Sequence, residues 1–548
     1  MKIIVAEKIA AAAVELLKQH TDWTVITPDQ ITGNLPELLK DADALIVRSA
    51  VDVGETLLAH ADKLRVIGRA GVGVDNVDLH AATKKGIAVM NTPGGNAVAV
   101  AEQTLGMMIS LARFLPRADR LMHEGKWEKK SLQGTELRGK TLGIVGLGRI
   151  GMEVARRALA FQMNVITHDP FITPSVVEDL GIKLLPLDEV FAKSDYLTLH
   201  LGVTPQTIGL INAETLAKTK KGVRLVNCAR GELIDETALL DALKSGQVAA
   251  AALDVFREEP AKNSPFAALE NVVLTPHIGG STKEAQDAVG VQIAQQVVEY
   301  LTKGVFQNAV NVPSVSYEEY LQLQPFIVLA ERLGAFAAHV ISAAPLKEIA
   351  IRYGGRIGSW KTELVRNAAV MGVLNQVVAD HANVVNATSM AEARGIRITE
   401  SGKAQDKAQQ KDNGAARDIL TITLQTSAGE QVVRGTVLHG SSPRLLSVDG
   451  IDIETLLEGH LVYMHNLDVP GVIGQVGTIL GKNKVNIADF SLGREETAKE
   501  PRKALAVVRV DGPVPENVLQ ELRKAAGVQE VRAMHLPAVP KAQAAEAK

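Results

Sequence analysis

Three polar residues stand just beyond the ends of short apolar runs. Arg230 lies in NCARGELID, Glu259 in ALDVFREEP and His277 in LTPHIGGST. Taken singly, each has a structural explanation: arginines cap loops, glutamates face solvent, and a histidine after proline closes a turn. Together they suit hydride transfer from a 2-hydroxy acid. A histidine has a pKa near the working pH and can take the hydroxyl proton of a secondary alcohol as the hydride leaves. A carboxylate beside it raises that pKa and stabilises the imidazolium, the part that falls to Glu259. A guanidinium can hold an α-carboxylate in bidentate fashion and polarise the neighbouring carbonyl in the reverse direction, the part of Arg230. No Cys/His/Asp cluster has metal-ligand spacing, so no metal is expected.

A hydride needs an acceptor, and Arg138–Pro170 offers a site for one. Thr141–Val145 reads as a buried strand of a parallel sheet. Gly146, Gly148 and Gly151 follow in the spacing G-x-G-x-x-G, and Met152–Ala160 continues as a helix. The first glycine permits the tight turn, the second lets backbone approach a pyrophosphate, and the third lets helix and strand pack closely. A second strand, Asn164–Thr167, leads to Asp169, an acid that can accept both ribose hydroxyls and would repel a 2′-phosphate. No arginine stands directly behind it, so NAD is favoured over NADP.

The elements that must position these groups form a strand–helix rhythm. Runs at Lys2–Val5, Trp23–Ile26, Ala44–Val47, Arg65–Ile67 and Ile87–Met90 predict a doubly wound parallel sheet. Arg48 and Ser49 close its third strand and GRAGVGVDNVD follows the fourth; ligands of such sheets bind at these strand ends. Asn91–Glu102 reads as a crossover into a helix running to about Leu115. The next sheet takes strands near Lys183–Leu185, Tyr196–His200, Arg224–Asn227, Ala249–Leu253 and Val272–Thr275. A helix over Lys283–Leu301 is long enough to return to the first lobe. The expected organisation is α/β: two interleaved Rossmann-like domains, with residues 1–93 and 286–312 forming one and 94–285 the other. An α+β segment over 313–455, with a strand at Glu348–Tyr353 and a polar loop near Glu400–Gly414, comes next. A βαββαβ domain over 459–536 and a Pro/Ala/Lys-rich tail over 537–548, expected to be disordered, complete the chain.

Composition narrows the partners. The 548 residues exceed one core, and the formal charge of −3 comes with no long basic run, which argues against nucleic acid or a membrane surface. One cysteine, Cys228, rules out an internal disulfide and fits a reducing cytoplasm. The apolar start is interrupted by Glu7, Lys8 and Glu15, so it reads as strand, loop and helix rather than a signal peptide.

GLGRIG, the acid of HDP, NCARG, ALDVFREEP and PHIGGST, in that order, resemble the D-isomer-specific 2-hydroxyacid dehydrogenases. GRAGVGVDNVD, NTPGGN and the C-terminal extension are similar to the long-form D-3-phosphoglycerate dehydrogenase branch, with an intervening and an ACT domain. The resemblance implies NAD-dependent oxidation of 3-phosphoglycerate, the first step of serine synthesis. It implies His277 as base, Glu259 as its partner and Arg230 as anchor. Arg48 and Ser49 would contact the phosphate, Val72 and Gly73 would offer backbone N–H groups to the carboxylate, and Asn96 would line the pocket. Arg149 and Ile150 would hold the pyrophosphate; Cys228, Ala229, Asp254, Gly279 and Gly280 would surround the nicotinamide half. Lys129 matches a position from which a neighbouring subunit reaches the substrate phosphate.

For the last domain the resemblance implies a small-amino-acid site between two subunits, with Asn466, Asp468 and Asn486 on the serine-binding positions. It further implies L-serine as an effector, a homo-oligomer, most simply a tetramer, and a side activity on 2-oxoglutarate. Two other readings stand beside it: a hydroxypyruvate or glyoxylate reductase, and a non-catalytic NADH-sensing scaffold. The C-terminal extension argues against both.

Overall fold

The computed structural model describes all residues except 32, 342–343, 380, 404–417, 496–501 and 538–548. The tail from 538 and most of the polar loop expected near 400–414 therefore lie outside the described residues. Four sheets organise the chain. The first joins β1 (Lys2–Val5), β2 (Thr24–Ile26), β3 (Ala44–Val47), β4 (Val66–Arg69) and β5 (Ala88–Met90), all parallel, in the order β2-β1-β3-β4-β5. The second is also wholly parallel: β6 (Thr141–Val145), β7 (Asn164–His168), β8 (Lys183–Leu184), β9 (Tyr196–Leu199), β10 (Val223–Asn227), β11 (Val248–Leu253) and β12 (Val272–Leu274). Its order is β12-β11-β10-β9-β6-β7-β8. The order reverses around β6, so the crevice beyond the carboxyl ends of β6 and β9 is its topological switch point.

The two lobes are interleaved through packing that the sequence specifies residue by residue. Helix Lys283–Lys303 crosses back from the second lobe and buries Ile293, Ala294 and Val297 in the first lobe's core beside Ile3, Ile46 and Val66. Gly68 in β4 makes this approach feasible: a Cβ there would meet Ile293 Cγ1 at 2.8 Å and Val297 Cγ2 at 3.0 Å. Met90 then bridges Ala309, and Asn311 accepts from Val89 N–H at 2.8 Å while donating to Ile87 O at 2.9 Å. The crossover helix ends at Arg113, short of the Leu115 expected. Phe114 takes a left-handed conformation (φ 54°), and Pro116 starts a second helix, Leu115–His123. Among the described residues no single helix is long and apolar enough to cross a membrane.

The third sheet is mixed: β13 (Leu346–Tyr353), β14 (Arg397–Ser401), β15 (Ile419–Thr426), β16 (Glu430–Leu438), β17 (Ser442–Val448) and β18 (Ile451–Leu456), ordered β14-β13-β15-β16-β17-β18. It packs on helix Tyr317–Val340, which pairs closely with helix Glu363–Val377 through Gly334 and Gly372, whose added Cβ atoms would meet Ala369 O and Glu331 O at 2.3 and 2.0 Å. The fourth sheet, β19 (Gly459–Leu467), β20 (Ile487–Arg494), β21 (Lys503–Val510) and β22 (Val528–Leu536), is antiparallel in the order β20-β21-β19-β22. With helices Val472–Lys482 and Glu516–Lys524 it gives the expected βαββαβ sequence, and the α/β fold class holds. Two side-chain-to-backbone ties fasten the last domain and the third sheet's helix: Arg532 donates to His339 O and Ile341 O at 2.7 and 2.8 Å.

Candidate active site

The glycine loop has the features of a dinucleotide cradle. Gly146 adopts φ +91°, where an L side chain is strained and a Cβ would strike His200 O at 2.6 Å. Gly151 lies so close that a Cβ would meet Gly146 O at 2.2 Å, whereas Gly148 faces open space. Helix Arg149–Ala160 starts at Gly148 without a side-chain cap, so its first N–H groups are free for an anion. The Arg149 guanidinium donates to Pro93 O, tying the loop to the crossover, and Ile150 packs against the core beneath. Asp169, just past β7, accepts from Leu147 N–H and Phe171 N–H, both at 2.9 Å, which holds its carboxylate beside the glycine loop. This donor set, free space and acid fit NAD.

Around the crevice, Asp254 is the organising acid. It accepts from Thr275 Oγ1 (2.5 Å), Ile278 N–H (2.9 Å) and Gly279 N–H (2.8 Å), clamping the segment that carries His277. His277 itself sits at φ 53°, a conformation rare for a non-glycine residue, held by its N–H on Asp254 O and Thr275 O at 2.8 and 3.1 Å. Its Nδ1 lies 2.7 Å from Glu259 Oε2, and the other Glu259 oxygen accepts from Phe256 N–H at 3.0 Å. The hydrogen bond to Glu259 raises the His277 pKa above the ordinary histidine value against the effect of burial. Burial pushes Glu259 the other way, but the bonds from His277 and Phe256 leave its pKa below normal. With Nδ1 occupied, Nε2 is the nitrogen left to exchange a proton.

A cavity of about 860 Å³ joins the two lobes at this point. Its lining includes Glu259, His277 and Gly280 from the second lobe, Asn96 from the crossover, and Arg48 and Ser49 from the first lobe. Asn96 Oδ1 is buried and without a partner among the described residues, and Gly280 gives it room, since a Cβ there would lie 2.8 Å from Asn96 Nδ2. Arg230, Val72 and Gly73 do not line this cavity. Instead Arg230 rests on Gly73, whose Cβ would lie 2.0 Å from Arg230 Nη2, and pairs with Asp75 at 3.1 Å while donating to Ala229 O at 2.7 Å. Val72 O accepts from Asn91 Nδ2 at 2.5 Å. Ala229 N–H donates to Asn227 Oδ1 at 3.0 Å. Cys228 is buried; desolvation pushes its thiol up to about 12, in keeping with a packing role.

Two residues that no motif singles out, Arg69 and Asp75, also belong to this region. Arg69 ends β4 opposite Val47, one residue before Arg48 on the neighbouring strand, and lines the same cavity with a buried Nε that has no partner among the described residues. Burial, then Arg230, lowers its pKa, with Arg48 acting in the same sense and Asp75 and Glu7 opposing. The signal was present in GRAGVGVDNVD, since both residues fall within that strand-end stretch.

Two groups of expected residues lie apart from this cavity. Lys129 is exposed at the start of a short 3₁₀ turn, Lys129–Leu132. In the last domain, Asn466 pairs opposite Ala504 at the start of β21, and Asp468 lies 3.4 Å from the Arg494 guanidinium. Asn486 sits beside Asp511, past the far end of β21, and donates to its carboxylate at 2.6 Å. At about 3.4 Å per residue along β21, the two asparagines are on the order of 20 Å apart. One chain does not assemble the trio.

Three protein families match the chain. Residues 105–279 match the D-isomer specific 2-hydroxyacid dehydrogenase NAD binding domain, 322–449 the D-3-phosphoglycerate dehydrogenase intervening domain, and 460–527 the ACT domain. The D-3-phosphoglycerate dehydrogenase of Methanocaldococcus jannaschii is 38% identical over 98% of this chain and 100% of its own. That of Bacillus subtilis is 37% identical over 98% of this chain and 100% of its own. Among solved structures, the NAD-dependent formate dehydrogenase of Staphylococcus aureus in complex with NAD is 28% identical, with a TM-score of 0.51, covering 57% of this chain and all of that one (100%). The chain therefore belongs to the D-3-phosphoglycerate dehydrogenase family, within the NAD-dependent 2-hydroxyacid dehydrogenases.

Proposed function

We propose that this enzyme oxidises 3-phospho-D-glycerate to 3-phosphohydroxypyruvate, the first step of L-serine synthesis, in the cytoplasm. The observation that carries the reading is one cavity holding a His277–Glu259 pair on one lobe and the cations Arg48 and Arg69, with Ser49, on the other. A three-carbon acid with a phosphate at its far end needs both: a base at the hydroxyl and a cationic end for the phosphate. Bound NAD supplies the hydride acceptor. His277 takes the hydroxyl proton on Nε2, and Glu259 stabilises the resulting imidazolium through Nδ1. Arg230 anchors the α-carboxylate with the Val72 and Gly73 N–H groups, releasing Asp75 as it does so. Asn96 orients the substrate within the cavity. Gly146, Gly148, Arg149, Ile150, Gly151 and Asp169 hold the adenosine and pyrophosphate; Cys228, Ala229, Asp254, Gly279 and Gly280 border the nicotinamide. Lys129 of a neighbouring subunit adds a further cation to the phosphate end.

In the last domain, L-serine binds between two subunits as a feedback effector, with Asn466 and Asp468 from one chain and Asn486 from the other. The separation of these residues within a single chain supports a shared site; the chain assembles as a homotetramer. A distal carboxylate can replace the phosphate, so 2-oxoglutarate is reduced as a side activity. The test is NADH formation from 3-phosphoglycerate with the product drained by a transaminase, with and without L-serine, beside His277→Ala. Turnover that disappears in the variant supports the reading. No turnover with 3-phosphoglycerate, but NADH oxidation with glyoxylate or hydroxypyruvate, refutes it in favour of a reductase of unphosphorylated acids.

A further inference from the structure

Glu7 enters no step above, yet its carboxylate is committed to the segment that presents Arg48 and Ser49. Oε1 accepts from Arg48 N–H at 2.8 Å and Val51 N–H at 3.1 Å, and Oε2 accepts from Ala50 N–H at 3.1 Å. From the other side, Asn76 Nδ2 donates to Arg48 O at 2.9 Å and Val51 O at 2.7 Å. The residue after Glu7 holds the side chain as well, since Arg48 Nη1 donates to Lys8 O at 3.3 Å. This bracket is itself anchored: a Cβ on Gly290 of the returning helix would lie 3.2 Å from Ala10 N and 3.6 Å from Ile9 Cβ. The same helix supplies Gln286 and Val289 to the cavity.

A four-residue turn at a strand end, left to itself, samples many conformations, and a long arginine on it loses rotamer freedom on binding. Three N–H groups on one carboxylate and two carbonyls on one amide remove that freedom beforehand. We propose that Glu7, with Asn76 opposite, is a positioning residue for the distal anion of the substrate: it preorganises the Arg48–Val51 turn so that Arg48 and Ser49 meet a phosphate. The proposal rests on the reading of Arg48 and Ser49 given above.

Glu7→Gln is a sharp perturbation because geometry forbids a neutral outcome. If the amide oxygen stays on Arg48 and Val51, the NH₂ faces the Ala50 donor; flipped, two N–H groups lose their acceptor. In the full-length enzyme with NAD, KM for 3-phosphoglycerate is expected to rise about tenfold or more while kcat changes less than about threefold. KM for unphosphorylated D-glycerate should move less than about twofold. A merely structural role would instead lower kcat on both substrates together. Arg48→Ala should also raise the 3-phosphoglycerate KM, and adding Glu7→Gln to it should have less than about a threefold further effect, since one residue acts through the other. If Arg48→Ala raises KM but Glu7→Gln does not, the Glu7 proposal falls and the phosphate reading stands. If Arg48→Ala leaves KM unchanged, both fall. Should Glu7→Gln fail to fold, Glu7→Asp keeps the charge but withdraws it by one methylene. Wild-type discrimination between the two substrates in that variant overturns the proposal.

Discussion

Glu259→Gln is expected to be more damaging than Glu259→Ala, the reverse of the usual ranking of an isostere against a truncation. The reason lies in how both carboxylate oxygens are used. One receives Phe256 N–H at 3.0 Å and the other meets His277 Nδ1 at 2.7 Å. A glutamine has one acceptor and one donor to offer. If its oxygen stays on Phe256, its NH₂ donates to Nδ1, so the proton of the neutral imidazole must sit on Nε2. That nitrogen can then no longer take the substrate proton. Fixing the wrong tautomer in a comparable triad costs about 10⁴ in kcat, the serine-protease case. Alanine leaves Nδ1 to water, since the imidazole is 49% exposed, and forfeits mainly the stabilisation of the imidazolium. General-base contributions of about 10²–10⁴ set the scale, roughly 3 to 5 kcal/mol of barrier. We therefore expect kcat to fall about 10³–10⁴-fold in Glu259→Gln and roughly tenfold less in Glu259→Ala. The pH profile adds a second readout. His277 has a raised pKa, so oxidation in the wild type should gain its base form only above the ordinary histidine range. In Glu259→Ala the raising partner is gone, and the ascending limb should move to lower pH. Steady-state kinetics with 3-phosphoglycerate across pH, with solvent viscosity controls for product release, would decide the matter. A glutamine variant with near wild-type kcat would refute the tautomer argument; an alanine variant with an unmoved limb would refute the pairing.

Other outcomes follow from the same geometry. Gly148→Ala should fold normally, with stability within about 0.5 kcal/mol of wild type, yet raise KM for NAD because its Cβ enters open space at the cradle. Gly151→Ala should lose about 1–3 kcal/mol by thermal melting, because its Cβ would overlap Gly146 O at 2.2 Å. Cys228, with its thiol pushed up to about 12, should resist iodoacetamide in the native enzyme and label only on denaturation, as mass spectrometry would show. Gly68→Val should destabilise the first lobe by about 1–3 kcal/mol or more, since even a Cβ at that position meets Ile293 at 2.8 Å; denaturant unfolding followed by a first-lobe tryptophan such as Trp23 would report it.

The parts of this molecule that were legible in its sequence are those in which local backbone requirements coincide with function. Gly146 must turn, Gly151 must let a helix touch a strand, and His277 must leave a sheet edge; such needs leave marks within a few residues. GRAGVGVDNVD marks a strand end, but that Arg69 within it lies beside Arg48 depends on the register of a neighbouring strand, which no local pattern records. Asp75 and Glu7 escaped notice because each acts on a residue about 40 or more positions away, or across a lobe. The strands of the third sheet are less legible although Gly429, Gly440 and Gly450 mark their turns, because Ile419–Thr426 alternates buried and half-buried positions and so carries a weaker apolar signal than a wholly buried first-lobe strand such as Ala44–Val47. The end of the crossover helix at Arg113 is hard to see in the sequence because Phe114, a bulky residue, takes the left-handed conformation where glycine or asparagine would announce a stop.

The returning helix has a consequence for how the protein is made. The first lobe's strands are complete at Met90, but the side chains that cover their face, Ile293, Ala294 and Val297, are encoded after the entire second lobe. At about 5–20 residues per second, a ribosome needs roughly 10 to 40 s to reach them. Throughout that interval the apolar face of the nascent first sheet is covered only in part, by Ala13 and Leu17 of its first helix, while the second lobe, contiguous in sequence, has what it needs to close. Synthesis thus favours an inverted order: the second lobe has the means to mature first, and the first lobe completes its core only when the returning helix emerges.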